Sequence, residues 1–131
     1  MLKVPSPLSA DQEKIVSQVI DCGFTVHRLL GPGFREKIYS RAFRLELSSR
    51  GLRFEWEKAV LVQYKSWEIP GQKVDLIVEE LVLVEIKVVP RLRPVHRAQV
   101  ISYLKTTGLR VGLLMNFNAV VLKEGLQRVV Y

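Results

Sequence analysis

Residues 75–89 read Asp-Leu-Ile-Val-Glu-Glu-Leu-Val-Leu-Val-Glu-Ile-Lys-Val-Val. Two apolar runs flank the acidic pair Glu79-Glu80. Asp75 opens the first run, and Glu85 and Lys87 sit inside the second. An ionised side chain taken out of water costs several kcal/mol unless it is paired or holds a metal. The chain must therefore fold so that these charges find partners. β-branched content and alternation predict strands over 74–78 and 81–89, joined by a tight turn at Glu79-Glu80. On the second strand, Leu83, Glu85, Lys87 and Val89 share one face and Val82, Val84, Ile86 and Val88 the other. Glu85 and Lys87 are then neighbours about 7 Å apart, and pairing through the turn brings Asp75 beside Glu85.

The rest of the chain supplies elements to pack on this hairpin. Residues 1–8, with two prolines, read as an extended lead-in. Ser9 and Gln12 fit a capping box for a helix reaching about Leu30, with Ile15, Val19, Cys22 and Val26 as its apolar stripe. His27, beside that stripe, reads as a core-edge histidine. Gly31-Pro32-Gly33 breaks the helix, and a second runs from Phe34 to Arg50, stopped by Gly51. Ile38, Ala42 and Leu45 are its expected inner face, with Glu36, Tyr39 and Phe43 on an adjoining one. From Leu52 the period becomes two, giving one long strand or two short ones to Tyr64. Lys65 to Gln72, containing Pro70-Gly71, reads as a turn or hairpin loop. Beyond the acidic hairpin come a basic loop over 90–94, a helix over 95–107, a buried strand over 111–117, a turn at 123–125 and a last strand over 126–131. Hairpin strands followed by a helix that crosses back to a further strand imply a mixed sheet with helices against it. A chain of 131 residues is expected to form one domain, 1–131.

The hairpin charges suggest chemistry. Two carboxylates brought together raise each other's pKa unless a cation lies between them. Hard oxygen ligands of this kind suit Mg2+ or Mn2+, and a backbone carbonyl near Ile86 would complete the shell. An ammonium at Lys87 would orient an attacking water and offset charge on a phosphate. The competing reading of Glu85 and Lys87 is a structural ion pair. Glu36 is a third candidate carboxylate, although a first-turn acid is also favoured by the helix dipole alone. His96, Gln99 and Tyr103 share a face of the third helix, pointing either at the site edge or at solvent. Arg91, Arg93 and Arg97 follow the acidic strand directly and would grip a phosphate backbone, or are plain surface charge. The net charge of +7 favours a polyanionic partner such as nucleic acid. The single Cys22 excludes an internal disulfide and multi-cysteine metal sites. No apolar run reaches the roughly 20 residues of a membrane span, and the N-terminus lacks a signal-peptide pattern. No membrane partner and a cytoplasmic location are the expectation.

Gly33-Phe34-Arg35-Glu36-Lys37-Ile38-Tyr39 reads Gly-x-x-Glu-x-x-Tyr. Together with Asp75, Glu85-Ile86-Lys87 and Pro94 to Tyr103, it resembles the GxxExxY proteins of the PD-(D/E)XK nuclease superfamily. Val26 to Gly33 and Gly112 to Asn118 resemble that family too, so the likeness runs from about Asp11 to the end. The resemblance implies a restriction-endonuclease-like α/β/α core with a mixed sheet, and a divalent-metal site that hydrolyses phosphodiesters; DNA is the expected substrate. It matches Glu36 to the acid of the first core helix, Asp75 and Glu85 to the metal-binding acids, and Lys87 to the catalytic lysine. Gln99 and Tyr103 match a Gln-x-x-x-Tyr pattern that borders the site in related nucleases. The chain departs from the family pattern before the aspartate. Lys73 and Val74 stand where an arginine and a small residue are usual, which bears on substrate contacts more than on metal binding. Two other readings stand beside a metal-dependent nuclease: a non-catalytic nucleic-acid-binding or interaction module on the same fold, and a junction or flap nuclease working as a homodimer.

Overall fold

The computed structural model describes residues 6–131. The lead-in expected over 1–8 lies largely outside the described residues; of its last three, Leu8 is buried in the core. Three helices and five strands follow in the order α1 (Ala10–Leu30), α2 (Glu36–Ser49), β1 (Phe54–Tyr64), β2 (Trp67–Val78), β3 (Val82–Lys87), α3 (Pro94–Thr107), β4 (Val111–Asn116) and β5 (Leu126–Val130). A short 3-10 turn, Leu122–Gly125, lies between β4 and β5. The strands form one sheet in the order β1-β2-β3-β4-β5, antiparallel throughout except for the parallel pair β3–β4. This is the mixed sheet that a helical crossover from β3 to β4 requires.

Two cores fill the three layers. Between the sheet and α1–α2 lie Val16, Val19, Cys22, Val26, Tyr39, Phe43 and Leu47, against Val82, Val84 and Ile86. Between the sheet and α3 lie Val100, Tyr103 and Leu104, against Leu83, Leu114 and Val129. The alternation of β3 divides its side chains between these two cores as expected. The capping box forms: Gln12 N donates to Ser9 Oγ (3.1 Å) and Ser9 N donates to Gln12 Oε1 (2.9 Å). Arg50 ties the two helices together, donating to Asp21 (2.5 Å), Thr25 (2.9 Å) and Glu46 (2.8 Å). His27 is buried, with Nε2 2.7 Å from the carbonyl of Ala119, which is the core-edge role.

Three expectations need correction. The inner face of α2 is Tyr39, Phe43 and Leu47, not Ile38, Ala42 and Leu45; Ile38 is 41% and Leu45 57% exposed. Two stripes of similar hydrophobicity compete on this helix. The aromatic one wins because Phe117 gives it a partner, stacked on Tyr39 at 4.9 Å and edge-on to Phe43 at 6.5 Å. Pro70-Gly71 does not make a loop. Only Lys65 and Ser66 turn, and β2 runs through the proline. The register steps from Val60↔Gln72 to Val62↔Ile69, so Pro70 and Gly71 together oppose Leu61 as a β-bulge. Finally, β3 ends at Lys87 rather than Val89. Past that point the side-chain amide of Asn116 replaces the ladder: Val89 N donates to its Oδ1 (3.1 Å) and its Nδ2 donates to Val89 O (2.9 Å).

One glycine fixes the distance between layers. A Cβ on Gly112 would lie 2.6 Å from Val100 Cγ1. The bare backbone of β4 is what lets α3 sit close enough for its side chains to reach β3.

Candidate active site

The predicted acids meet where the sheet splits. β2 and β3 pair at Val78↔Val82, Ile77↔Leu83 and Leu76↔Val84, and the ladder stops there. The next rungs are made by side chains. Asp75 N donates to Glu85 Oε1 (3.0 Å), and Ile86 N donates to Asp75 Oδ2 (2.8 Å). Each carboxylate thus takes the backbone N–H that a strand carbonyl would have taken, and the two acids wedge the strands apart. On the other side of β2 the pairing with β1 passes from Trp56↔Leu76 to Lys58↔Val74 without a Glu57–Asp75 rung. Glu57 sits in the left-handed region, φ 49°, so the irregularity crosses both neighbours of β2 at Asp75.

Burial and proximity load this pair. Glu85 is only 3% exposed. Its carboxyl is pushed up to about 8, first by burial and then by the charge of Asp75. Asp75 is raised as well, again chiefly by burial, with the Ile86 N–H and the charge of Lys87 pulling the other way.

Lys87 projects from the same face of β3 to α3, where Nζ donates to Gln99 Oε1 at 2.8 Å. Among the described residues no ion pair joins it to Glu85, so the structural-pair reading of Glu-x-Lys fails. Tyr103, one turn beyond Gln99, is buried, with Gln72 and Gln99 near its hydroxyl. Burial, then the charges of Glu85 and Asp75, push its phenol up. Gln99 and Tyr103 therefore face the site rather than solvent. His96 does not join them. Its Nδ1 accepts from Arg93 N at 2.8 Å and caps α3.

Glu36 arrives from the other layer, and the Gly-x-x-Glu-x-x-Tyr spacing explains how. Gly33 adopts φ 111°, open to glycine. Tyr39, buried one turn into α2, donates its hydroxyl to Gly31 O (2.5 Å) and accepts from Phe34 N (3.1 Å). The tyrosine thus pins the loop that starts α2, and Glu36 in the first turn is held in place. Glu36 lines a cleft of about 310 Å³ together with Asp75 and Ile86. Its carboxyl is raised, by burial and then by Asp75, while Lys87 lowers it. Glu36, Asp75, Glu85 and Lys87 thus form one electrostatic unit. They do not form a finished cage: among the described residues no three His, Cys, Asp or Glu side chains converge on a metal position.

Arg91, Arg93 and Arg97 are exposed around the start of α3, and none lines the cleft. Its basic lining comes instead from α2, through Lys37 and Arg44, with Ser40, Trp56 and Glu57 completing the wall. The guanidinium of Arg44 lies 3.7 Å above the Trp56 ring. Sequence reading missed these residues. The signal was the spacing Lys37, Arg41, Arg44, one helix face starting beside Glu36. Asn116 was also missed as a clamp on the backbone after Lys87.

The family model described as the PD-(D/E)XK nuclease superfamily matches residues 13–129, nearly the whole chain. No curated protein and no solved structure matches. The matched span contains the forked strands with their aspartate and Glu-x-Lys, the lysine's α3 partner and the helix that brings Glu36. The mixed sheet between helical layers is the restriction-endonuclease-like arrangement, and the chain belongs to the PD-(D/E)XK nuclease superfamily.

Proposed function

We propose that this chain is a single-domain, divalent-metal-dependent nuclease of the GxxExxY type, hydrolysing phosphodiester bonds, most readily in DNA. The observation that carries the reading is the pair Asp75–Glu85 at the strand fork, half-buried and buried, both carboxyls raised, next to a lysine that makes no ion pair among the described residues. The donor set fits Mg2+ or Mn2+: hard carboxylate oxygens, with the Ile86 carbonyl beside them. Asp75, Glu85 and that carbonyl would hold the ion, and Glu36 adds a third carboxylate across the cleft. An incomplete protein cage suits Mg2+, which keeps several of its waters. When bound, such an ion polarises the phosphate and makes water a stronger nucleophile at neutral pH.

The remaining work falls to side chains. Gln99 accepts one hydrogen bond from the Lys87 ammonium and fixes its direction, leaving the other N–H groups to orient the attacking water and to offset charge building on the phosphate oxygens. Tyr103 and Gln72 close the α3 side against solvent. Lys37 and Arg44 hold the phosphate backbone from α2, with Arg91, Arg93 and Arg97 as an outer basic patch around the start of α3. Acids facing a polyanion repel it unless cations intervene, so nucleic-acid binding should strengthen with Mg2+ or with non-catalytic Ca2+. Cytoplasmic residence fits this reading, as does the fact that no described helix is long and apolar enough to cross a membrane.

The test is cleavage of linear, circular, single-stranded and branched substrates with Mg2+ and with Mn2+, alongside Lys87→Ala. Cutting by the wild type and a loss of a hundredfold or more in the variant are expected. Equal cutting by both sinks the mechanism. Failure to bind metal at millimolar concentration in calorimetry would favour the non-catalytic binding module.

A further inference from the structure

Trp56 is poorly explained by packing. It stands in the wall of the acidic cleft, next to Glu57 on β1 and opposite Leu76. It is 48% exposed, and the Arg44 guanidinium covers its ring at 3.7 Å. A cation braced over one face holds the indole in a fixed plane and leaves the rest of its surface to the cleft. Lys37, Ser40 and Arg44 line the same cleft, and Arg41 shares their helix face. Cations therefore lie where a phosphate backbone would run, and a flat aromatic lies where its bases would point. The chain as a whole is positively charged, by +7, as a polyanionic occupant requires.

We propose that Trp56, braced by Arg44, stacks on an unpaired nucleobase beside the phosphate to be cut, so that the site prefers single-stranded or frayed nucleic acid to intact duplex. The inference rests on the nuclease reading of the acids. Its physical basis is what each substrate can offer. In an intact duplex the base faces are spent on one another, and a protein grips it mainly through phosphates, for which Lys37, Arg41 and Arg44 alone suffice. An unpaired base has a free face, and an aromatic side chain captures it whatever the base is. A half-exposed tryptophan at the cleft is useful to the second substrate and idle for the first.

The test uses the full chain with Trp67→Phe, which leaves Trp56 as the sole tryptophan, and Ca2+ in place of Mg2+ so that nothing is cut. An oligothymidylate about twelve nucleotides long should quench Trp56 fluorescence, and a blunt duplex of similar length should change it little. Trp56→Ala in the natural chain should weaken oligothymidylate binding about tenfold or more, while Trp56→Phe stays within about threefold. Equal quenching by duplex and oligothymidylate, quenching by neither, or wild-type affinity in Trp56→Ala overturns the proposal. Thermal melts of each variant identify a folding failure. If Trp56→Ala does not fold, the quenching pair and Trp56→Phe decide. The nuclease reading fails separately: quenching without metal-dependent cutting overturns that reading alone, and cutting without quenching overturns this one alone.

Discussion

The centre of the sheet and the far end of its β1–β2 hairpin are built on opposite terms. At the centre, every residue of β4 and all of β3 except Lys87 are buried. At the far end of the β1–β2 hairpin, residues 61–71 are all exposed, including Leu61, Tyr64, Trp67 and Ile69. The central strands are held by packing on both faces, the hairpin arm by its own ladder and little else. The acids sit at the border between the two, where β2 leaves β3. A carboxylate pair that is to hold an ion needs a rigid wall to fix it and an open side to admit it, and this border offers both.

The largest expected effect tests the border itself. Glu85 has its folded pKa raised to about 8 from the ordinary 4.5. Without metal, folding favours its protonated form. Stability is therefore highest below the unfolded value and falls as pH rises from about 4.5 through about 8. Glu85→Gln, which cannot ionise, should melt several degrees above the metal-free wild type at pH 8 and close to it at pH 4.5. Millimolar Mg2+ should raise the wild-type melt at pH 8 and leave the variant's nearly unmoved. Parallel pH profiles for the two proteins would break the claim that the pair is held apart from water.

In the packed half, Gly112→Ala should cost about 1–3 kcal/mol by chemical denaturation, since Val100 must move. Because α3 carries Gln99, cutting should fall further than stability does. An unchanged denaturation midpoint would show that α3 can shift freely. Tyr39→Phe, which removes the bond to Gly31 O, should cost about 0.5–1.5 kcal/mol and lower cutting through Glu36. Full activity with that loss of stability would separate the loop anchor from the acid it is argued to hold. At the exposed end, Ile69→Thr should change stability by no more than about 0.5 kcal/mol. A larger loss would mean the arm packs on something, and a concentration-dependent melt would point to a second copy of the chain.

The contrast also explains what could be read from the sequence. β4 and the β3 hairpin were legible because buried strands must be apolar, and acids among valines cannot be accidental. The positions of Asp75, Glu85 and Lys87 on one hairpin followed from alternation. The gap in the ladder did not, because a carboxylate accepting a backbone N–H leaves no mark on hydrophobic pattern. The arm was misread at Pro70-Gly71 because a breaker pair looks the same in a loop and in a bulge. On α2, hydrophobicity weighed Ile38 and Leu45 as heavily as Tyr39 and Phe43. The choice was made by Phe117, nearly 80 residues away. The sequence points to the start of α3 for a basic wall because arginines crowd there. Lys37 and Arg44, spread over two turns of helix, form no cluster in the sequence.

The fork has a practical side for the design of variants that test the proposed nuclease. Asp75 and Glu85 are rungs as well as acids, each holding a backbone N–H of the opposite strand. Removing either carboxylate also removes a rung that joins β2 to β3 and changes the charge of the cleft. A variant made that way would report on a different cleft. Among the described residues the Lys87 side chain has one hydrogen-bond partner, Gln99 on α3, and it spans no rung between strands. Lys87→Met therefore keeps both rungs of the fork, although it removes the positive charge that lowers the Glu36, Asp75 and Glu85 carboxyls.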